Sequence, residues 1–223
     1  MTASATAAAA VLFDLDGTFA DTAPDMARAL NRLLQAEGQD PLPFARIRPH
    51  VSHGGRALIQ LGFGLQPGDP DYEHLRQQFL HLYSDDLVRD TRLFPGIAEL
   101  LAGLERRAVP WGIVTNKPGW LTEPLLRQLG WSERAACVVS GDTTPNAKPH
   151  PEPLLHACRQ MAVAPQRSWY VGDAERDIAA GRAAGTRTLV ALFGYLRETD
   201  EPARWGADGL IARPLDVFDW IDR

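Results

Sequence analysis

The chain has 223 residues, 45% hydrophobic and 23% charged, with a formal net charge of −5. That length buries a sizeable core, and the balance of residues is that of a globular chain rather than a disordered one. The negative charge argues against nucleic acid and anionic membranes as partners, and no apolar run is long enough to predict a membrane-spanning helix.

The opening "MTASATAAAA" has no basic n-region and no long apolar stretch, so it reads as a terminus feeding the first strand rather than a signal peptide. A strand over 10–15 follows, in "AVLFDLDGT", with Val11, Leu12 and Phe13 as strand formers and Gly17 as the turn. Residues 20–92 change character. Met26, Leu30, Leu33 and Leu34 recur at helical spacing after Pro24. Tyr72, Leu75, Phe79, Leu82 and Tyr83 form a second apolar stripe. No convincing strand appears between 20 and 92.

From residue 96 the pattern is regular. A helix through Ile97, Leu100, Leu101 and Leu104 leads to the strand "PWGIVTN". A helix over 120–129, stopped by Gly130, leads to "ACVVSGD"; a helix over 151–162 leads to "SWYVGD"; a helix over 175–184 leads to "TRTLVAL". A weaker strand at 209–212 precedes a helix at 215–221. Alternating strands and helices predict an α/β fold with a Rossmann-like parallel sheet covered on both faces. The expected organisation is an α/β core of 1–19 and 93–223, with an all-helical cap of 20–92 inserted after the first strand.

In such sheets ligands bind beyond the carboxyl ends of the strands. Asp14 and Asp16 follow the first strand, Thr115, Asn116 and Lys117 the second, Lys148-Pro149 the loop after the third, and Asp173 and Asp177 the fourth. Each has an ordinary explanation: an acidic turn, a turn hydroxyl, a surface lysine, a helix N-cap. Together they put acidic, hydroxyl and basic groups at one sheet edge. In an extended chain Asp14 and Asp16 stand roughly 6–7 Å apart on one side and repel unless a cation intervenes. Asp14, the Asp16 carbonyl and Asp173 suit Mg²⁺, with Asp177 one helical turn on to steady the site. Lys148 and the cation would neutralise a phosphate, and Thr115 would hold its oxygens. No His/Cys set has zinc-ligand spacing.

"DLDGT", "VTN", "KPHPEP" and "GDAERD", in this order and spacing, resemble the four motifs of the haloacid dehalogenase-like hydrolase superfamily. The resemblance implies that Asp14 attacks phosphorus to form an aspartyl-phosphate. It implies that Asp16 acts as general acid and then base, that Thr115, Asn116 and Lys148 bind the phosphoryl group, and that Asp14, Asp16, Asp173 and Asp177 form the Mg²⁺ site. Asp16 favours phosphate chemistry, since dehalogenases of the superfamily lack it. Phe19 stands where relatives usually carry Leu, and Ala174 where some have a second Asp.

Within the superfamily, "GIVTNKP", "KPHPEPLL" and "FGY" resemble the phosphoglycolate phosphatase group. "SHGGRAL", "TNKP" and "WGAD" also resemble N-acetylmuramate 6-phosphate phosphatases of cell-wall recycling. Both imply a small phosphomonoester carrying a carboxylate. Arg56, after Gly54-Gly55, is a candidate to fork onto that carboxylate, against a plain solvent-facing arginine; His53 is a second candidate. A phosphosugar mutase and a receiver-like phosphate-sensing module are the alternatives. The expected setting is cytoplasmic, as a monomer or small homo-oligomer, since Cys137 and Cys158 suggest no disulfide framework.

Overall fold

The computed structural model describes residues 10–222. The reading of "MTASATAAAA" as a bare terminus therefore falls almost wholly outside the described residues.

The chain enters on β1 (Ala10–Phe13) and turns into β2 (Ala20–Asp21). Four helices follow: α1 (Ala23–Ala36), α2 (Phe44–Ile47), α3 (Gly54–Phe63) and α4 (Tyr72–Ser84). A 3₁₀ turn, Arg48–His53, joins α2 to α3. The chain returns through β3 (Arg92–Leu93), α5 (Ile97–Arg106), β4 (Trp111–Val114), α6 (Gly119–Leu129) and β5 (Cys137–Val139). It continues through α7 (Glu152–Gln160), β6 (Ser168–Gly172), α8 (Glu175–Ala184), β7 (Arg187–Ala191), β8 (Gly209–Ile211) and α9 (Phe218–Ile221).

Six strands form one parallel sheet in the order β5-β4-β1-β6-β7-β8. The alternating pleat sends neighbouring side chains to opposite faces. Val11 and Phe13 join one buried cluster with Trp111, Ile113 and Trp169. Leu12 joins the other, with Val139 and Tyr170 against Leu154 and Ala157 of α7 and Ala180 of α8. Phe19 is fully buried and stacks on Trp111, ring centroids 5.7 Å apart, so the larger ring is a packing residue.

The helices α1–α4 pack on one another, and their apolar stripes run into the same cluster that covers the Val11 face of the sheet. The expectation of no strand between 20 and 92 needs correction at its edges. Ala20 pairs with Leu93 and Asp21 with Arg92, antiparallel. A two-residue ladder shows no period in sequence, because its alternation never repeats. Asp25 secures this neck, accepting from the Thr91 N–H at 2.8 Å, the Thr91 hydroxyl at 2.7 Å and the Asp90 N–H at 3.0 Å. The C-terminal helix expected at 215–221 is a 3₁₀ turn, Pro214–Val217, running into the four-residue α9. Among the described residues no helix is long and apolar enough to cross a membrane, and both cysteines are buried and unpaired.

Candidate active site

The chain runs outward from β1 through β4 and β5, then crosses back to β6 on the other side of β1. The order reverses at β1, which opens a crevice beyond its carboxyl end. Asp14 leaves β1 there, its N–H donating to the Val171 carbonyl of β6 at 2.9 Å. Thr115 leaves β4, and Asp173 leaves β6.

Asp14, Asp173 and Asp177 each offer a carboxylate oxygen within 4.8 Å of the others, and all three are buried. Asp14 Oδ1 accepts from the Leu15 N–H at 2.8 Å and pairs with Lys148 Nζ at 2.9 Å. The same ammonium lies 2.8 Å from Asp177 Oδ1 and donates to the Val114 carbonyl at 3.0 Å and to the Tyr170 hydroxyl at 2.6 Å. Asp177 Oδ2 accepts from the Ala174 N–H at 3.0 Å. Asp173 Oδ2 accepts from the Ser52 hydroxyl at 2.6 Å and the Tyr195 N–H at 2.8 Å. A Cβ on Gly17 would stand 2.1 Å from Asp173 Oδ2, and Gly17 sits at φ +86°, so only glycine fits this turn.

Burial, then the neighbouring Asp177, pushes Asp14 up from the usual carboxylate range, against the pull of Lys148 and Arg176. Burial, then Asp14 and Asp177, pushes Asp173 up to about 7. Asp177 moves the other way: burial raises it, but Lys148, Arg176 and the Ala174 N–H together outweigh that. Three buried carboxylates thus face two cations. The cluster carries one negative charge too many, on hard oxygen donors, and these residues fit a divalent cation such as Mg²⁺.

Asp16 lies apart from that carboxylate cluster. Its side chain takes two hydrogen bonds from Lys117 Nζ, at 2.9 and 3.1 Å, and one from the Thr22 hydroxyl at 2.6 Å. Only its backbone carbonyl remains a candidate metal ligand. Lys117 is held above its usual range: burial lowers it, but Asp16 and Tyr83 prevail. Tyr83, on α4, places its ring centroid 4.6 Å from Lys117 Nζ.

A cavity of about 880 Å³ opens between these loops and α3–α4, bordered by Asp14, Asp16, Thr115 and Lys117 on one side and by Arg56, Gln60, Arg76 and Tyr83 on the other. Lys148 does not border it. Its side chain is wholly buried on Asp14 and Asp177, so its charge reaches the cavity through those carboxylates. Asn116 borders the cavity, yet its amide is taken by the Lys148 backbone at 2.8 and 2.9 Å. Arg56 has no ion pair among the described residues, whereas Arg76 pairs with Glu73 at 2.9 Å. The Tyr83 hydroxyl and Arg176 Nε are buried without partners among the described residues, and both residues border the cavity.

His53 also borders the cavity, with Nδ1 3.2 Å from Arg176 Nη1. Burial and then Arg176 push it down to about 4, so at neutral pH it is uncharged. Ser52, Lys117 and Arg176 take part in the site without a role assigned from sequence. Lys117 and Arg176 sit inside recognisable motifs. Ser52 opens the quoted "SHGGRAL" stretch, but no spacing shows its role, because its partner Asp173 is 121 residues away.

The family model for haloacid dehalogenase-like hydrolases matches residues 11–191. The chain belongs to that family. An N-acetylmuramic acid 6-phosphate phosphatase of Pseudomonas aeruginosa is 44% identical, covering 96% of this chain and 95% of the relative. A phosphoglycolate phosphatase of Xanthomonas campestris is 43% identical, covering 94% and 95%. The crystal structure of a predicted phosphoglycolate phosphatase from Haemophilus somnus superposes with a TM-score of 0.85 at 25% identity, covering 97% of this chain and 99% of that one. Like these relatives, this member of the family is a hydrolase of the phosphatase kind.

Proposed function

We propose that this haloacid dehalogenase-like hydrolase is a Mg²⁺-dependent phosphatase of a carboxylated phosphosugar, N-acetylmuramic acid 6-phosphate being the fitting compound. The observation that carries this reading is the cavity. Its volume of about 880 Å³ lies at the upper end for small-molecule sites, and a two-carbon acid phosphate would leave most of it empty. Its walls suit a sugar with both apolar and anionic parts: Met26, Leu61 and Leu80 on one stretch, and the unpaired Arg56 on another.

In this reading Asp14 is the nucleophile. Its Oδ1 is occupied by Leu15 and Lys148, which leaves Oδ2 to attack phosphorus. The ester P–O bond breaks as the leaving oxygen takes a proton from Asp16, which is an ion-paired carboxylate on Lys117 in the structure and takes up that proton only when the pair opens. Asp16 then takes a proton from water, the water oxygen attacks phosphorus, and the bond to Asp14 breaks to release phosphate. Thr115 borders the cavity beside Asp14 and binds the phosphoryl oxygens. Asp14, Asp173, Asp177 and the Asp16 carbonyl would hold Mg²⁺, which would supply the charge that lets a phosphate dianion approach a carboxylate. The helices α1–α4 act as the cap that keeps bulk water from the site. The two unpaired cysteines suit a cytoplasmic setting.

The test is a substrate panel with Mg²⁺, with EDTA, and with Asp14→Asn. N-acetylmuramic acid 6-phosphate should be turned over at least about tenfold more efficiently than N-acetylglucosamine 6-phosphate, which lacks the carboxylate, given what one charge-assisted contact is worth. Both chelation and the substitution should abolish turnover. A preference for phosphoglycolate would move the assignment to the second group of relatives. Turnover that survives Asp14→Asn would reject the mechanism.

A further inference from the structure

The 3₁₀ turn Arg48–His53 belongs to the helical insert, yet its polar contacts cross to the loops at the sheet edge, to Asp173, Arg176 and Gly194. Ser52 donates its hydroxyl to Asp173 Oδ2 at 2.6 Å. Arg176, between Asp173 and Asp177 in sequence, donates Nη2 to the Ser52 carbonyl and approaches His53 Nδ1 through Nη1 at 3.2 Å. Arg48 donates to the Gly194 carbonyl at 3.2 Å and lies 4.8 Å from the Tyr195 ring centroid. The Tyr195 N–H donates to the same Asp173 Oδ2 at 2.8 Å. The Tyr195 hydroxyl in turn donates to Asp21 at 2.7 Å and accepts from the Ala23 N–H at 3.0 Å, at the neck of the insert.

We propose that Ser52, Arg48 and Arg176 form a clasp that makes closure of the insert and cation binding at Asp173 one equilibrium, with Ser52 as a positioning residue for that carboxylate. The physical ground is the shared acceptor. Lifting the turn removes the Ser52 donor and leaves Asp173 with the Tyr195 N–H on Oδ2 and the longer Thr18 hydroxyl contact, 3.3 Å, on Oδ1, a looser hold on its side-chain torsions. Donors behind a ligating carboxylate fix its direction, and their loss typically costs about 10- to 100-fold in metal affinity. Coupling is reciprocal, so a cation that settles Asp173 tightens the turn by the same factor. The inference rests on the proposed function only for the identity of the cation as Mg²⁺.

The experiment uses the full chain with Mg²⁺ alone, and no phosphomonoester, so an error in the substrate leaves its outcome untouched. Mg²⁺ affinity is measured by calorimetry, and amide exchange is followed over residues 48–54. In the unaltered protein Mg²⁺ should slow that exchange. Ser52→Ala should bind Mg²⁺ about tenfold more weakly and lose the Mg²⁺-dependent protection, while Ser52→Thr keeps both. Arg48→Gln touches no carboxylate of the cluster and guards against a misfolded Ser52 variant. It should weaken Mg²⁺ by at least about threefold, through the turn alone. Mg²⁺ affinity within about twofold of the unaltered protein in either folded variant, or protection of the turn that ignores Mg²⁺, overturns the clasp.

Discussion

Lys117 and Asp16 form a two-pronged ion pair, Nζ to Oδ1 at 2.9 Å and to Oδ2 at 3.1 Å, with side-chain exposures of only 4% and 14%. A pair this deep is costly to break on one side, because the survivor is left as an uncompensated buried charge. Lys117→Met should therefore destabilise the fold by about 3–5 kcal/mol in urea unfolding. Asp16→Asn should destabilise it too, and the double variant should fall short of the sum by at least about 1 kcal/mol. Strict additivity would show that the two groups do not depend on each other.

In the proposed reading Asp173 ties Mg²⁺ binding to pH. Its folded-state value, pushed up to about 7 by burial and by Asp14 and Asp177, lies above the ordinary aspartate value of 3.8. The folded metal-free protein thus holds a proton here that the unfolded chain has lost. Its contribution to stability is fully present below pH 3.8 and disappears as pH rises through 7. Mg²⁺, bound as proposed, would take the place of that proton. Below about pH 7 its apparent affinity should weaken by about tenfold per pH unit, with proton release measurable by calorimetry in two buffers of different ionisation enthalpy. Binding that releases no proton at pH 6 would mean that Asp173 is already ionised.

Arg56 tests how the carboxylate is read. Arg56→Ala should lower kcat/KM for an acidic phosphosugar by about 10- to 100-fold, the worth of a charge-assisted hydrogen bond. The change should sit mainly in KM and should leave p-nitrophenyl phosphate nearly unaffected. Equal losses on both substrates would remove Arg56 from that role.

Gly17 is the tightest point of the site. Gly17→Ala forces a left-handed residue and drives a methyl to 2.1 Å from Asp173 Oδ2. It should cost more than about 1 kcal/mol of stability and should weaken Mg²⁺ binding, since the Asp173 carboxylate has to move. Unchanged thermal unfolding together with unchanged Mg²⁺ affinity would contradict the turn described here.

The six strands of the main sheet and the helices between them were legible because burial repeats over several turns or strand residues. Ala20–Asp21 and Arg92–Leu93 were not, since a two-residue pairing has no period. The helix Gly54–Phe63 leaves only a weak trace in sequence, sitting in a glycine-bearing stretch where local propensity is weak. Asn116 and Lys148 show the same limit at the site. Their positions at strand ends were readable, but not that the Asn116 amide is spent on the Lys148 backbone, or that the Lys148 ammonium is buried beneath Asp14.

By itself the sequence determined the family, the parallel sheet and which acidic, hydroxyl and basic residues reach its carboxyl edge, because strand period and motif spacing are local properties of the chain. Only the tertiary structure decided what those groups do to one another: Asp16 drawn off to Lys117, Asp173 clasped by Ser52, and Arg56 left facing a large cavity. Those pairings join residues up to 121 apart in the chain, and their strength comes from burial and direction, which no spacing encodes.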